Sequence, residues 1–196
     1  MKSLCVFCGS SVGNDKTFLL AAGELGMKLA KKKIKLIYGG AKVGLMGMVA
    51  KSCLDNNGSV IGVIPESLAN LEIAHNGLTE LKIVKDMHQR KALMNELSDA
   101  FIALPGGIGT IEETFEMFTW LQLGLHQKPI AILNINGFYE SIINFLAKMV
   151  KEGFLTKEHE EMLIIEDSVD KILVGIENYN HKNMGKWFDV DKNLIE

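Results

Sequence analysis

Two groups of residues carry the types and spacing that chemistry requires. The first is Pro105-Gly-Gly-Ile-Gly-Thr110, followed directly by Ile111, Glu112 and Glu113. Glycines at 106, 107 and 109 permit positive φ angles and let a ligand approach the backbone closely. Ile111, Phe115 and Phe118 recur at helical spacing, so a helix is predicted to open on this loop. A helix start presents unpaired N–H groups and a partial positive charge, and a phosphate is the natural occupant. The competing reading is a tight turn in which Thr110 caps the helix and Glu113 completes a capping box. Glu112, Glu113 and Glu116 crowd the first helical turns, which favours a functional loop.

The second group is Asp86-Met-His-Gln-Arg-Lys91. Asp86 and Gln89 have capping-box spacing, which predicts a helix from Met87 with Arg90 and Lys91 in its early turns. Two cations near a helix start oppose the macrodipole, a local conflict that makes sense if they face an anion. Arg90 offers a planar fork and Lys91 a point charge. The ordinary alternative is a solvated Arg-Lys pair.

Other chemistries lack their marks. There is no G-x-x-x-x-G-K-[ST] loop and no Gly-x-Gly-x-x-Gly after the first strand, so ATP hydrolysis and nicotinamide redox chemistry are disfavoured. Cys5-x-x-Cys8 straddles a strand end without other thioredoxin-like cues, and only Cys53 remains to help build a metal site. The five histidines show no H-E-x-x-H spacing. No lysine stands out as a pyridoxal phosphate anchor, and neither metal nor cofactor is required.

Alternating short apolar runs and helical segments must position these groups. Leu4–Phe7, Ile34–Tyr38, Val60–Ile64, Leu81–Val84, Phe101–Leu104 and Ile130–Leu133 read as strands, nearly continuous in apolar character as in a parallel sheet covered on both faces. Phe18, Ala22, Leu25 and Leu29 make one helical stripe, and Ile142, Ile143, Leu146, Met149 and Val150 another. The expected fold is α/β, a Rossmann-like doubly wound parallel sheet with helices on both faces. Such sheets bind ligands outside the carboxyl ends of their strands. Those ends carry Cys8-Gly-Ser-Ser11, Gly39-Gly40 and the loop at 105–110, so three glycine-bearing ends converge on one crevice. Ser10 and Gly40 join the candidate substrate contacts on this ground. After about Glu152 the pattern fades, apart from a last helix over Ser168–Tyr179.

A length of 196 residues suits one domain, placed at 1–180, with a polar tail at 181–196. The formal net charge is -3 with no basic run, which disfavours a nucleic-acid partner. The apolar start at Met1–Phe7 is too short for a signal-peptide core, and no run approaches the roughly 18 apolar residues of a membrane span. Three cysteines, an odd number, agree with a cytoplasmic protein.

Taken together, Pro105-Gly-Gly-x-Gly-Thr-x-x-Glu113 and Met87-His-x-Arg-Lys91 closely resemble the LONELY GUY family of cytokinin riboside 5′-monophosphate phosphoribohydrolases, whose members have often been labelled lysine decarboxylases. The likeness runs from Cys5-Val-Phe-Cys-Gly-Ser-Ser11 through Tyr38-Gly-Gly40, Gly44-Leu-Met-Gly47 and Thr119-Trp to about Phe154. The resemblance implies a Rossmann-like fold and a dimer with sites at the subunit interface. It further implies hydrolysis of the N-glycosidic bond of a purine nucleoside 5′-monophosphate. By position, Glu113 becomes the catalytic carboxylate and Arg90 its essential partner. Glu72, Lys91, the loop Gly106, Gly107, Ile108, Gly109, Thr110, Ile111 and Glu112, and Thr119 become substrate contacts. Arg90 would hold Glu113, anchor phosphate, or do both. The alternative is a carrier of nucleotide or molybdenum cofactor that turns nothing over.

Overall fold

The computed structural model describes residues 1–69 and 74–181. In chain order these hold β1 (Ser3–Phe7), α1 (Lys16–Lys31), β2 (Lys35–Tyr38), α2 (Gly44–Asp55), β3 (Val60–Pro65) and the single turn α3 (Glu66–Leu68). They continue with β4 (Glu80–Val84), α4 (Met87–Glu96), β5 (Phe101–Ala103), α5 (Ile108–Gln122), β6 (Ile130–Leu133), α6 (Glu140–Lys151), α7 (Lys157–Glu160), β7 (Leu163–Glu166) and α8 (Val169–Glu177). Glu72 and most of the expected tail lie outside the described residues.

The strands pair in the order β4-β3-β2-β1-β5-β6-β7, and every pairing is parallel. The chain winds outward from β1 to β4 and then returns to β1's other side, where Cys5 pairs with Phe101. That reversal between β1 and β5 is the topological switch point at which such sheets open a crevice.

β1, β3, β5 and β6 are buried along their whole length, as their unbroken apolar runs require. One face carries α1, α2 and α8, with Ala22, Leu25, Val49 and Ile172 closed off from solvent. The other carries α4, α5 and α6, with Met94, Met117, Phe118 and Leu146 inward. Of the expected stripe on α6, only Leu146 is fully buried; Ile142, Ile143, Met149 and Val150 pack half-buried at the rim of that core.

One strand eluded the sequence pattern. β7 adds beyond β6, pairing Leu163 with Ile130, and its residues after Leu163 are only half-buried. Its Leu-Ile-Ile run sits between a short helical turn and α8 rather than between glycine and proline signals, so it reads as an interruption, not as a strand.

Candidate active site

The site forms where the ends of β1 and β5 meet α4 and α5. Gly9 N–H donates to the Pro105 carbonyl (3.1 Å), joining the two loops across the switch point. The β1 loop is also seated on α2: Leu45 N–H donates to the Gly9 carbonyl at 3.0 Å. A cleft of about 280 Å³ opens here, floored by Cys8, Gly9 and Ser10 and walled by Arg90, Glu113 and the glycine loop.

α5 begins three residues earlier than the capping-box alternative requires. Its N-cap is Gly107, no side chain caps it, and the Ile111 N–H makes the first intrahelical bond, to the Gly107 carbonyl (3.2 Å). Thr110 therefore lies inside the first turn and caps nothing. The N–H groups of Ile108, Gly109 and Thr110 precede that first bond and are free of intrahelical partners.

The loop glycines serve by their size. Gly106, Gly107 and Gly109 are all absent from the positive-φ residues, so the left-handed freedom that glycine permits is not used here. Instead, a Cβ on Gly106 would stand 2.1 Å from Thr110 Oγ1 and 2.9 Å from the Gly9 nitrogen. Around Gly107 and Gly109 a Cβ would meet nothing within 4 Å. Both glycines line the cleft at the start of α5, where the N–H groups lack intrahelical partners.

α4 starts at Met87 as expected. Asp86 Oδ1 accepts from the Gln89 N–H (2.8 Å), while Gln89 Oε1 reaches back to the Lys85 N–H (3.1 Å), one residue before the cap. This start turns Arg90 and Lys91 inward; they are only 9% and 8% exposed, which rules out the solvated pair. Arg90 Nε donates to the Val63 carbonyl (3.2 Å), Nη1 contacts Met87 Sδ, and Nη2 lies 3.4 Å from Glu113 Oε1. Lys91 points elsewhere, pairing with Glu112 (2.5 Å) and Glu116 (3.0 Å) on α5.

Burial pushes the Glu113 carboxyl above the usual carboxylate range, the Arg90 guanidinium pulls it back, and neighbouring Glu112 pushes it up again. Such a carboxylate is desolvated and held beside a guanidinium. At Lys91 burial opposes the charge, yet the pairs with Glu112 and Glu116 hold it above the usual lysine value. Cys8 and Cys5 are both buried free thiols pushed well up by burial, the reverse of a redox-active pair. Among the described residues no cluster of His, Cys, Asp or Glu has the makings of a metal site.

Of the residues expected at the site, Arg90, Glu113, Glu112, Ser10, Gly107, Ile108, Gly109 and Thr110 line this cleft. Gly106 lines an adjoining cleft of about 310 Å³, which shares Gly9, Ser10 and Gly107 and is closed by Phe18 and Phe138. Ile111 is half-buried against the core. Gly40 lines neither cleft; its φ of 79° and its carbonyl, which accepts from the His75 N–H (2.9 Å), give it a structural task. Thr119 is exposed on α5, its hydroxyl donating to the Phe115 carbonyl (2.8 Å), and it too lines neither cleft. Met46 and Met87 line the main cleft without having been expected there; apolar character gave them no functional signal.

The sequence model described as possible lysine decarboxylase matches residues 46–176. The cytokinin riboside 5′-monophosphate phosphoribohydrolase of Rhodococcoides fascians is 48% identical over 176 residues, covering 89% of this chain and 89% of that protein. The chain belongs to the LONELY GUY family. Within that family, the phosphoribohydrolase LOG1 of Arabidopsis thaliana is 46% identical, over 91% of this chain and 84% of its own length. The molybdenum cofactor binding protein of Rippkaea orientalis shares the family's fold: the TM-score is 0.68 at 20% identity, covering 90% of this chain and 96% of that one. At that identity the likeness concerns the fold alone.

Proposed function

We propose that this chain hydrolyses the N-glycosidic bond of purine nucleoside 5′-monophosphates, releasing the free base and ribose 5-phosphate. The base is adenine or an N6-modified adenine, as the activity carried in its relatives' names suggests. The observation that carries this reading is the buried Arg90–Glu113 pair facing the cleft beside the uncapped start of α5. A carrier has no use for a carboxylate desolvated at such a cost.

The substrate's 5′-phosphate accepts hydrogen bonds from the free N–H groups of α5, on the side left open by Gly107 and Gly109. Ribose C1′ then lies towards Glu113. As the bond from C1′ to the purine nitrogen breaks, positive charge builds on the sugar and the electron pair leaves with the base. The Glu113 carboxylate stabilises that charge and takes a proton from the attacking water, whose oxygen bonds to C1′; the departing base takes a proton from solvent and Glu113 returns its own to solvent, so water supplies both the hydroxyl and, in net, the proton. Phosphate held at a distance from the reacting carbon directs binding energy into orientation.

The working form is a cytoplasmic homodimer with sites at the subunit interface. α5 supports this: Leu123 is exposed, Phe115 and Trp120 are half-buried, and Thr119 is turned away from its own subunit's cleft. A contact from Thr119 to substrate fits a neighbouring subunit's site.

The test is incubation with AMP followed by chromatography. Adenine and ribose 5-phosphate in equal amounts are expected. Stoichiometric binding of AMP without free adenine would establish a carrier instead.

A further inference from the structure

We propose that Gly39, at the end of β2, is a positioning residue for Arg90, and through it for Glu113. The proposal rests on the hydrolytic reading above. Gly39 has no positive φ, so its backbone suits any L-residue. Its neighbour Gly40 differs, for φ there is 79° and a side chain would be strained whatever the space. What forbids a side chain at 39 is the guanidinium. A Cβ there would stand 2.2 Å from Arg90 Nη2 and 3.3 Å from Arg90 Cζ. The second nearest atom is Met46 Sδ at 3.2 Å, the end of a flexible chain.

Arg90 is thus clamped. The Val63 carbonyl holds Nε, the bare Gly39 backbone receives the face of Nη2, and Glu113 sits 3.4 Å beyond. Ordinary van der Waals contact with a methyl group would require Nη2 to retreat by more than 1 Å, roughly the misplacement that costs 10²-fold in a preorganised site. Arg90 cannot then keep both the Val63 bond and its place beside Glu113. Since that guanidinium is what opposes the effect of burial on Glu113, moving it also changes the carboxyl's protonation.

Gly39→Ala tests this with two readouts. In turnover of AMP, kcat is expected to fall on the order of 10–100-fold while KM changes little, because the phosphate is held by α5. The acidic limb of the pH–rate profile should move to higher pH, in the direction that Arg90→Gln moves it. An unchanged kcat and limb, or a rise in KM alone, overturns the proposal. The second readout is thermal stability in a double-mutant cycle. Gly39→Ala should lower the melting temperature of the unsubstituted protein but not of Arg90→Ala, where the space is vacant. An equal loss in both backgrounds places the clash elsewhere and also overturns the proposal. Should the unsubstituted protein release no adenine, the hydrolytic reading fails, and the melting cycle still decides whether Gly39 holds Arg90.

Discussion

At the scale of single residues, the site is a division of labour between two adjacent cations. Arg90 spends its nitrogens on Val63, Met87 and Glu113, and Lys91 neutralises Glu112 and Glu116. With both so engaged, the proposed mechanism leaves the phosphate to backbone N–H groups. Glu113→Gln keeps the side chain's size and should lower base release by roughly 10²–10⁴-fold with AMP binding retained, measured by single-turnover chromatography and equilibrium dialysis. Loss of binding together with folding would show a structural task instead. The pH dependence follows from the same contacts. On the proposed mechanism Glu113 works as the carboxylate, so activity should rise with pH as it ionises, with burial placing that limb above the usual carboxylate range. Removing the opposing charge in Arg90→Gln should shift the limb to still higher pH, while Glu112→Gln, which removes a repelling charge, should shift it down. Opposite movements would mean that another group sets the limb.

At the scale of elements, the uncapped start of α5 is the feature on which the proposed preference for a phosphorylated substrate rests. Two or three charge-assisted hydrogen bonds at roughly 1.5–3 kcal/mol each amount to about two orders of magnitude or more in efficiency. AMP should therefore be hydrolysed at least about 100-fold faster than adenosine at equal concentration; equal rates would remove the phosphate from the mechanism. Arg90→Ala should slow both substrates by the same factor, since Arg90 addresses Glu113 and not the phosphate; a narrowed gap between them would return Arg90 to the phosphate. Much of this arrangement is readable in the sequence. Six strands announce themselves as apolar runs, and Asp86 with Gln89 marks the start of α4. The failures have physical causes. Thr110 and Glu113 have capping-box spacing, but Gly107 starts the helix earlier, and local spacing cannot reveal where backbone geometry turns helical. Lys91 finds its partners on another helix, so its role is invisible in any window around it. Gly39 and Gly40 are adjacent and identical in type, yet one is small for a guanidinium and the other for its own φ.

At the scale of the whole molecule, the exposed apolar residues at the two ends of α5 favour a second copy as their cover. Ile108 is 82% exposed at the mouth of the site, and Leu123 lies exposed beyond the end of α5. Sedimentation equilibrium should give twice the chain mass, and Leu123→Glu should lower both the dimer fraction and the turnover of AMP. A fully active monomer would exclude a shared site. The sheet order has one more consequence, for the chain as it is being made. β1 leaves the ribosome first, but its partner β5 is about a hundred residues behind. At roughly 5–20 residues per second, the N-terminal half waits about 5–20 s before the Gly9–Pro105 bond can form. During that interval β1 has β2 on one edge and nothing on the other. A nascent protein of this topology exposes a bare apolar strand edge at its own centre until synthesis passes Pro105, and it gains its substrate cleft in the same step that covers that edge.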